Sequence, residues 1–272
     1  MHITDIYNQA AAEGRARFSV ELLPPLKGDG PGRVFEALDP LREFAPVSVN
    51  VTSHREDVKY VERENGLLER HTVRRRPGTV GISAAIMRRY GVEAIPHLIC
   101  GGQSRYDLED ALIDLDFLGI DNVLALRGDI PKGQDIDWET AEFRHAADLV
   151  RFAKAHYPDM GIGVAGYPAP HPESPSFASD WRYTVAKIRE GADFVITQLF
   201  FDVREYLHFV DRLSDMGVSV PVIPGILPIQ SLESIRRTLS LCGANIPGKL
   251  YLALEEANAK GGAEAVREAG HK

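Results

Sequence analysis

The sequence predicts an α/β fold of the (β/α)8 TIM-barrel type, and three observations carry that expectation. Seven short apolar stretches of strand character recur along 272 residues, with helical patterns between most of them. Nearly every stretch ends on polar residues, as strands do when their C-terminal ends gather around one active-site mouth. The first stretch runs into "ELLPPLKGDGPG", where Pro24 and Pro25 do not fit the tight glycine turn of a doubly wound dinucleotide fold.

The strand candidates are "RFSVELLP" (17–24), "PVSVNVT" (46–52), "EAIPHLIC" (93–100), "NVLALRG" (122–128), "GIGVAGY" (161–167), "FVITQLF" (194–200) and "PVIPGIL" (221–227). Between them, "RYDLEDALIDLDFLG" puts Leu108, Ala111, Leu112, Leu115 and Leu118 on one helical face. "WETAEFRHAADLVRFAKAH" and "SDWRYTVAKIREGAD" behave likewise, and "VREYLHFVDRLSDMG" ends on a glycine suited to a helix stop. No composition break or low-complexity linker interrupts the series. Residues 1–272 are therefore expected to form a single (β/α) barrel catalytic domain. It is expected to be short at its C-terminus, because "EAVREAGHK" reads as the start of a helix and no eighth strand follows.

Composition narrows the function. The chain is 44% hydrophobic and 26% charged, an ordinary globular balance. A net charge of -8 argues against a general nucleic-acid binder. The start "MHITDIYNQAAAEGRARFSV" lacks the apolar core of a signal peptide, and no apolar run approaches membrane-spanning length. Cys100 and Cys242 match no CxxC spacing, which favours a reduced, cytoplasmic setting.

Several residues stand out chemically. Glu21, in "SVELLPP", is either a barrel-interior carboxylate in an ion pair or a general acid whose pKa burial raises. Arg127 and Asp129 flank Gly128 at a strand's end. There the glycine lets a flat ligand approach, the guanidinium can fork onto a phosphate, and the carboxylate places negative charge beside a ring. "GYPAPHPES" brings Tyr167, His171 and Glu173 into a loop stiffened by prolines. His97, His171 and Glu173 have no HxH or HExxH spacing, so no metal is expected. Gln198 is an amide in an apolar strand, able to donate and accept. The charged segment 54–78 after the second strand reads as a long loop, functional or simply solvated. A lyase or aldolase working through a Schiff-base lysine would want a lysine at a strand end, and none of the seven candidates has one.

Taken in order, "VELLPP", "PHLIC", "LALRGD", "YPAPHPES", "DWRYTVAKIREGADFVITQLFFD" and "IPGILPI" resemble the methylenetetrahydrofolate reductase family over most of the chain. The resemblance implies a TIM barrel that binds FAD and takes hydride from NADH or NADPH. By ping-pong exchange it reduces 5,10-methylenetetrahydrofolate to 5-methyltetrahydrofolate, a step of one-carbon metabolism that serves methionine biosynthesis. It implies Glu21 as the acid that protonates N10, Asp129 as a catalytic residue near flavin and pterin, and Gln198 as a folate ligand beside those two. FAD contacts would fall to Asn50, His97, Arg127, Gly128, Asp129, Ala146, Tyr167, His171, Asp180 and Lys187. Asn50 stands where the family often has threonine, with Thr52 nearby. Tyr183 replaces an expected asparagine, Thr238 replaces a larger apolar residue, and the last strand with its "YTLN"-like motif is absent. A homo-oligomer is expected, since an open barrel edge favours a partner chain. A degenerate barrel that binds FAD or folate without full turnover is the alternative.

Overall fold

The computed structural model describes residues 1–54, 57–129 and 137–271. Arg55 and Glu56 of the charged segment, and Ile130 and Pro131 just past the fourth strand candidate, lie outside the described residues. The chain opens with α1 (Ile3–Ala12), β1 (Ser19–Leu22), α2 (Gly32–Leu38), a 3-10 turn (Asp39–Phe44) and β2 (Ser48–Val51). It continues through β3 (Asp57–Glu62), β4 (Leu68–Val73), α3 (Thr79–Tyr90), β5 (Glu93–Ile99), α4 (Arg105–Phe117), β6 (Asn122–Leu126) and α5 (Ala146–His156). Then come β7 (Gly161–Gly166), α6 (Phe177–Arg189), β8 (Phe194–Thr197), α7 (Val203–Asp215), β9 (Val222–Ile223), α8 (Leu232–Cys242) and α9 (Gly248–Gly270).

Two compact units divide the chain, Met1–Gly163 and Val164–Lys272, and β7 straddles their boundary. In the first unit the sheet runs β1-β2-β5-β6 and on to β7, with β1–β2, β2–β5 and β5–β6 each paired parallel. In the second it runs β7-β8-β9, with β8 and β9 parallel. Parallel neighbours need a crossover, and helices supply most of them. The fold is of the (β/α)8 TIM-barrel type with seven strands in this sheet, and no eighth strand follows α9 among the described residues. Every one of the seven strand candidates contains a strand, shorter than its apolar stretch at one end or both.

Side-chain alternation sets the two faces of the first sheet. Val20 and Leu22 of β1, with Val49 and Val51 of β2, pack in one apolar cluster with Val34 and Leu38 of α2 and Ile82 and Ile86 of α3. Burying each such side chain contributes about 1.5–3 kcal/mol. The period of two then turns Ser19 and Glu21, and Ser48 and Asn50, to the other face, where parallel register pairs Ser19 with Ser48 and Glu21 with Asn50. In the second unit Ile229, Leu232, Ile235, Leu254 and Val266 form a separate cluster beneath α8 and α9.

Two expectations are corrected. The helix expected from Trp138 begins only at Ala146. Asp137 instead accepts from the Glu139 N–H and the Thr140 hydroxyl, which holds a turn, and His145 with Asp148 then caps α5. Such local side-chain acceptors compete with helix. The charged segment 54–78 contains an antiparallel ribbon, β3 against β4, rather than an open loop. Its turn is closed by Arg63 N–H to Leu67 O and Gly66 N–H to Arg63 O, with Gly66 at φ +77. Asn65-Gly66 between two alternating runs is the sequence signal for such a hairpin.

Candidate active site

The first unit places Glu21, Asn50 and His97 on three neighbouring strands. Glu21 is opposite Asn50, and Asn50 is opposite Ile95, which shares a face with His97 two residues on. His97 is buried, with its side chain only 7% exposed. Burial first, and the nearby His54 second, push its pKa down to about 4, so the ring is neutral at pH 7. Its Nε2 lies 3.9 Å from Glu21 Oε2 and has no hydrogen-bond partner. Asn50 donates Nδ2–H to Ser19 Oγ at 3.4 Å, while its buried Oδ1 is likewise without a partner. A buried polar atom left so costs about 1–3 kcal/mol unless a ligand or ordered water meets it.

Glu21 differs from the shielded acid expected. Its side chain is 63% exposed, yet the protein around it still desolvates the carboxyl enough to raise its pKa. The exposure argues for a modest shift in the free protein, and a flat ligand laid over the carboxyl would deepen it.

The end of β6 follows. Backbone bonds Cys100 N–H to Leu126 O and Gly101 N–H to Arg127 O tie it to the end of β5. Gly128 sits at φ +81, where a Cβ is disfavoured, so the backbone turns sharply between Arg127 and Asp129. The Arg127 guanidinium lies 5.5 Å from the Trp138 ring centre, and Asp129 is exposed. Ala146 is the first residue of α5, whose N-terminal N–H groups and dipole favour an anion.

The second unit assembles its own group. The Tyr167 and His171 rings meet edge to face at 4.9 Å, and Lys187 Nζ is 5.9 Å from the Tyr167 ring centre. Buried Asp180 accepts the His171 N–H at 2.7 Å and so fixes the proline-rich loop. Lys187 donates to the Ala165 carbonyl, and burial lowers its pKa to about 8 against the opposing pull of Asp180. Gln198 lies one residue past β8. Its N–H bonds Gly166 O at 2.7 Å and its Oε1 accepts the Leu199 N–H at 2.9 Å.

Most of the expected residues fall near a strand's C-terminal end or at the start of the helix that follows; His97 lies within β5, His171 in the loop after β7, and Lys187 within α6. Sequence reading missed His54 and Trp138. His54 follows β2 and acts on His97 through space, and Trp138 faces Arg127 from a turn read as helix. Neither is flagged by motif spacing. Among the described residues no group of three or more His, Cys, Asp or Glu could hold a metal, and no helix is long and apolar enough to cross a membrane.

The family profile described as methylenetetrahydrofolate reductase matches residues 6–272. A "Probable methylenetetrahydrofolate reductase (NADH)" of Oryza sativa subsp. japonica is 33% identical over 270 residues, 94% of this chain and 42% of that protein. A "5,10-methylenetetrahydrofolate reductase" of Pectobacterium carotovorum subsp. carotovorum is 35% identical over 243 residues, 88% of this chain and 74% of that one. The chain spans less than half the length of the plant, nematode and fission-yeast relatives it matches. Among solved structures, an uncharacterized Clostridium thermocellum protein that binds two copies of 5-methyl-5,6,7,8-tetrahydrofolic acid superposes with a TM-score of 0.56. At 14% identity, over 97% of this chain and 85% of that one, this likeness bears on the fold alone.

Proposed function

Because the chain belongs to the methylenetetrahydrofolate reductase family, we propose that it reduces 5,10-methylenetetrahydrofolate to 5-methyltetrahydrofolate with NADH or NADPH. We read it as an FAD-dependent, ping-pong enzyme of the cytoplasm, with residues 1–272 as one catalytic domain. Bound FAD would supply the hydride carrier between nicotinamide and folate.

The observation that carries this reading is the Glu21–His97 arrangement. Ring opening of the folate needs a proton at N10, and Glu21, raised in pKa, is the group to hold and deliver it. The neutrality of His97 matters for that role. A charged imidazolium 3.9 Å away would favour the carboxylate, whereas the neutral ring leaves the desolvation that raises the Glu21 pKa unopposed. Asp129 sets charge beside flavin and pterin, and Gln198 keeps its amide NH2 to donate to the folate.

The residues present fit FAD. His97 Nε2 and Asn50 Oδ1 are buried polar atoms awaiting partners. In the first unit Arg127 offers a cation for a phosphate and the α5 N-terminus at Ala146 offers N–H groups; in the second, Lys187 offers a cation. Gly128 gives clearance for a flat ring, Tyr167 and His171 give an aromatic surface, and Asp180 holds His171 in place.

The test is the spectrum of the purified protein. A yellow protein that bleaches with NADH or NADPH and recovers colour with methylenetetrahydrofolate supports the reading. A colourless protein that cannot be reconstituted with FAD overturns it. Bleaching by nicotinamide with no recovery on adding folate would leave the binding-only barrel instead.

A further inference from the structure

We propose that the cleft just beyond Glu21, between the β1–α2 loop and the segment 74–77, takes the benzoyl-glutamate tail of the folate, with Arg33 and Arg76 receiving its carboxylates. The proposal rests on the folate reading above and adds to it the subsite for the far end of the substrate.

The starting point of the tail is fixed by chemistry. N10, the atom Glu21 is assigned to protonate, is also the atom that carries the p-aminobenzoyl-glutamate. A folate with N10 at Glu21 therefore begins its tail there. A cavity of about 300 Å³ opens at the next residues of the chain, lined by the run 22–26, by Arg33 of α2 and by Arg76. Pro24 is three residues from Glu21, at most about 10 Å, a span that a benzoyl ring and its amide can bridge.

The lining suits both parts of the tail. Leu23 and Leu26 are 55% and 49% exposed, so each keeps apolar surface for a flat ring. The Arg76 guanidinium donates to the Pro24 carbonyl, and Lys27 N–H bonds Arg75 O at 2.7 Å. These bonds sew the segment after β4 to the loop after β1. They hold the guanidinium at the cleft with further N–H groups to give. Arg33, the second residue of α2, has no acid partner among the described residues. Asp29 is the acid in the lining, and its Oδ2 is engaged by Leu26 N–H at 3.3 Å. Two cations against one acid stand out in a chain of net charge -8.

His54 joins the cleft to the site. Burial first, and the Arg76 charge second, lower its pKa, and His54 in turn acts on His97 beside Glu21. The 2′-phosphate of NADPH would also suit these cations, but nothing ties a nucleotide to Glu21, whereas N10 sets where the folate tail begins.

Tetrahydropteroate ends at the benzoate, and tetrahydropteroyltriglutamate carries the full tail. Neither has a one-carbon unit, so binding is measured apart from turnover. The full chain should bind the triglutamate at least about fivefold more tightly, with an advantage that shrinks as salt is added. Arg33→Glu should abolish the advantage; a glutamate in a first helical turn is favourable, so the fold is kept. Leu23→Ser should weaken both ligands, since both keep the benzoyl ring. Equal binding of the two ligands by the wild-type chain, an advantage untouched by Arg33→Glu, or weaker binding of NADPH but not of NADH in that variant would overturn the tail subsite. A chain that keeps the advantage yet fails to turn over methylenetetrahydrofolate would overturn the catalytic reading alone.

Discussion

His97 Nε2 faces Glu21 Oε2 across 3.9 Å, a neutral imidazole beside a carboxyl raised in pKa, with no hydrogen bond between them. The gap leaves the imidazole nitrogen open to a ligand, and its neutrality keeps the proton on Glu21 easier to hold.

Glu21→Gln keeps the carboxyl's size and removes its acidic proton. Flavin reduction by nicotinamide should persist, while folate reduction falls by about 10²–10⁴, the usual weight of a general acid. Stopped-flow measurement of the two half-reactions separates them, and an intact folate half-reaction would refute the acid role.

The burial of neutral His97 makes stability pH-dependent. The unfolded chain takes up a proton near pH 6.5 that the folded chain refuses until about pH 4. Acidification through that window therefore favours unfolding, by up to about 3 kcal/mol, and the stability is restored above pH 6.5. Urea midpoints of the FAD-free protein should fall between pH 7 and pH 4.5, and His97→Gln should flatten the fall. Equal slopes in both proteins would assign it to other groups.

Lys187, with a pKa of about 8, should grip a diphosphate as an ammonium and lose that grip as pH rises through 8. FAD affinity, followed by quenching of flavin fluorescence, should drop from pH 7 to pH 9. Lys187→Met should bind more weakly throughout and lose the pH dependence. An unchanged profile in the variant would remove Lys187 from the contact.

Gly128→Ala forces a Cβ into φ +81. The strain is about 1–2 kcal/mol, and the melting temperature should drop by a few degrees. A drop in FAD affinity larger than this strain would mark close approach of the cofactor; unchanged affinity would leave Gly128 a turn residue only.

Strand identity was legible because most of the parallel strands are buried on at least one face and must be written in β-branched and aliphatic residues. "NVLAL" and "GIGVAG" read that way without context. The ribbon was not legible at that level, because none of its described side chains is buried and its alternation is drowned in charge, leaving Asn65-Gly66 as the one clear cue. Trp138 was misplaced into a helix because Asp137 competes for the backbone through its own side chain.

Of the proposed site, the sequence by itself supplied the candidates: Glu21, Arg127, Asp129, Tyr167 and Gln198 stand near the C-terminal ends of apolar strands, where side chains have a rigid strand behind them and a loop in front. Tertiary structure alone decided their states. His97 is neutral because burial and His54 make its charged form costly, Asp180 serves as the anchor of the His171 loop, and Glu21 is more open than its apolar neighbours imply. Protonation, exposure and partner choice depend on what surrounds a group in three dimensions, and residues distant in sequence, such as His54 and His97, provide those surroundings.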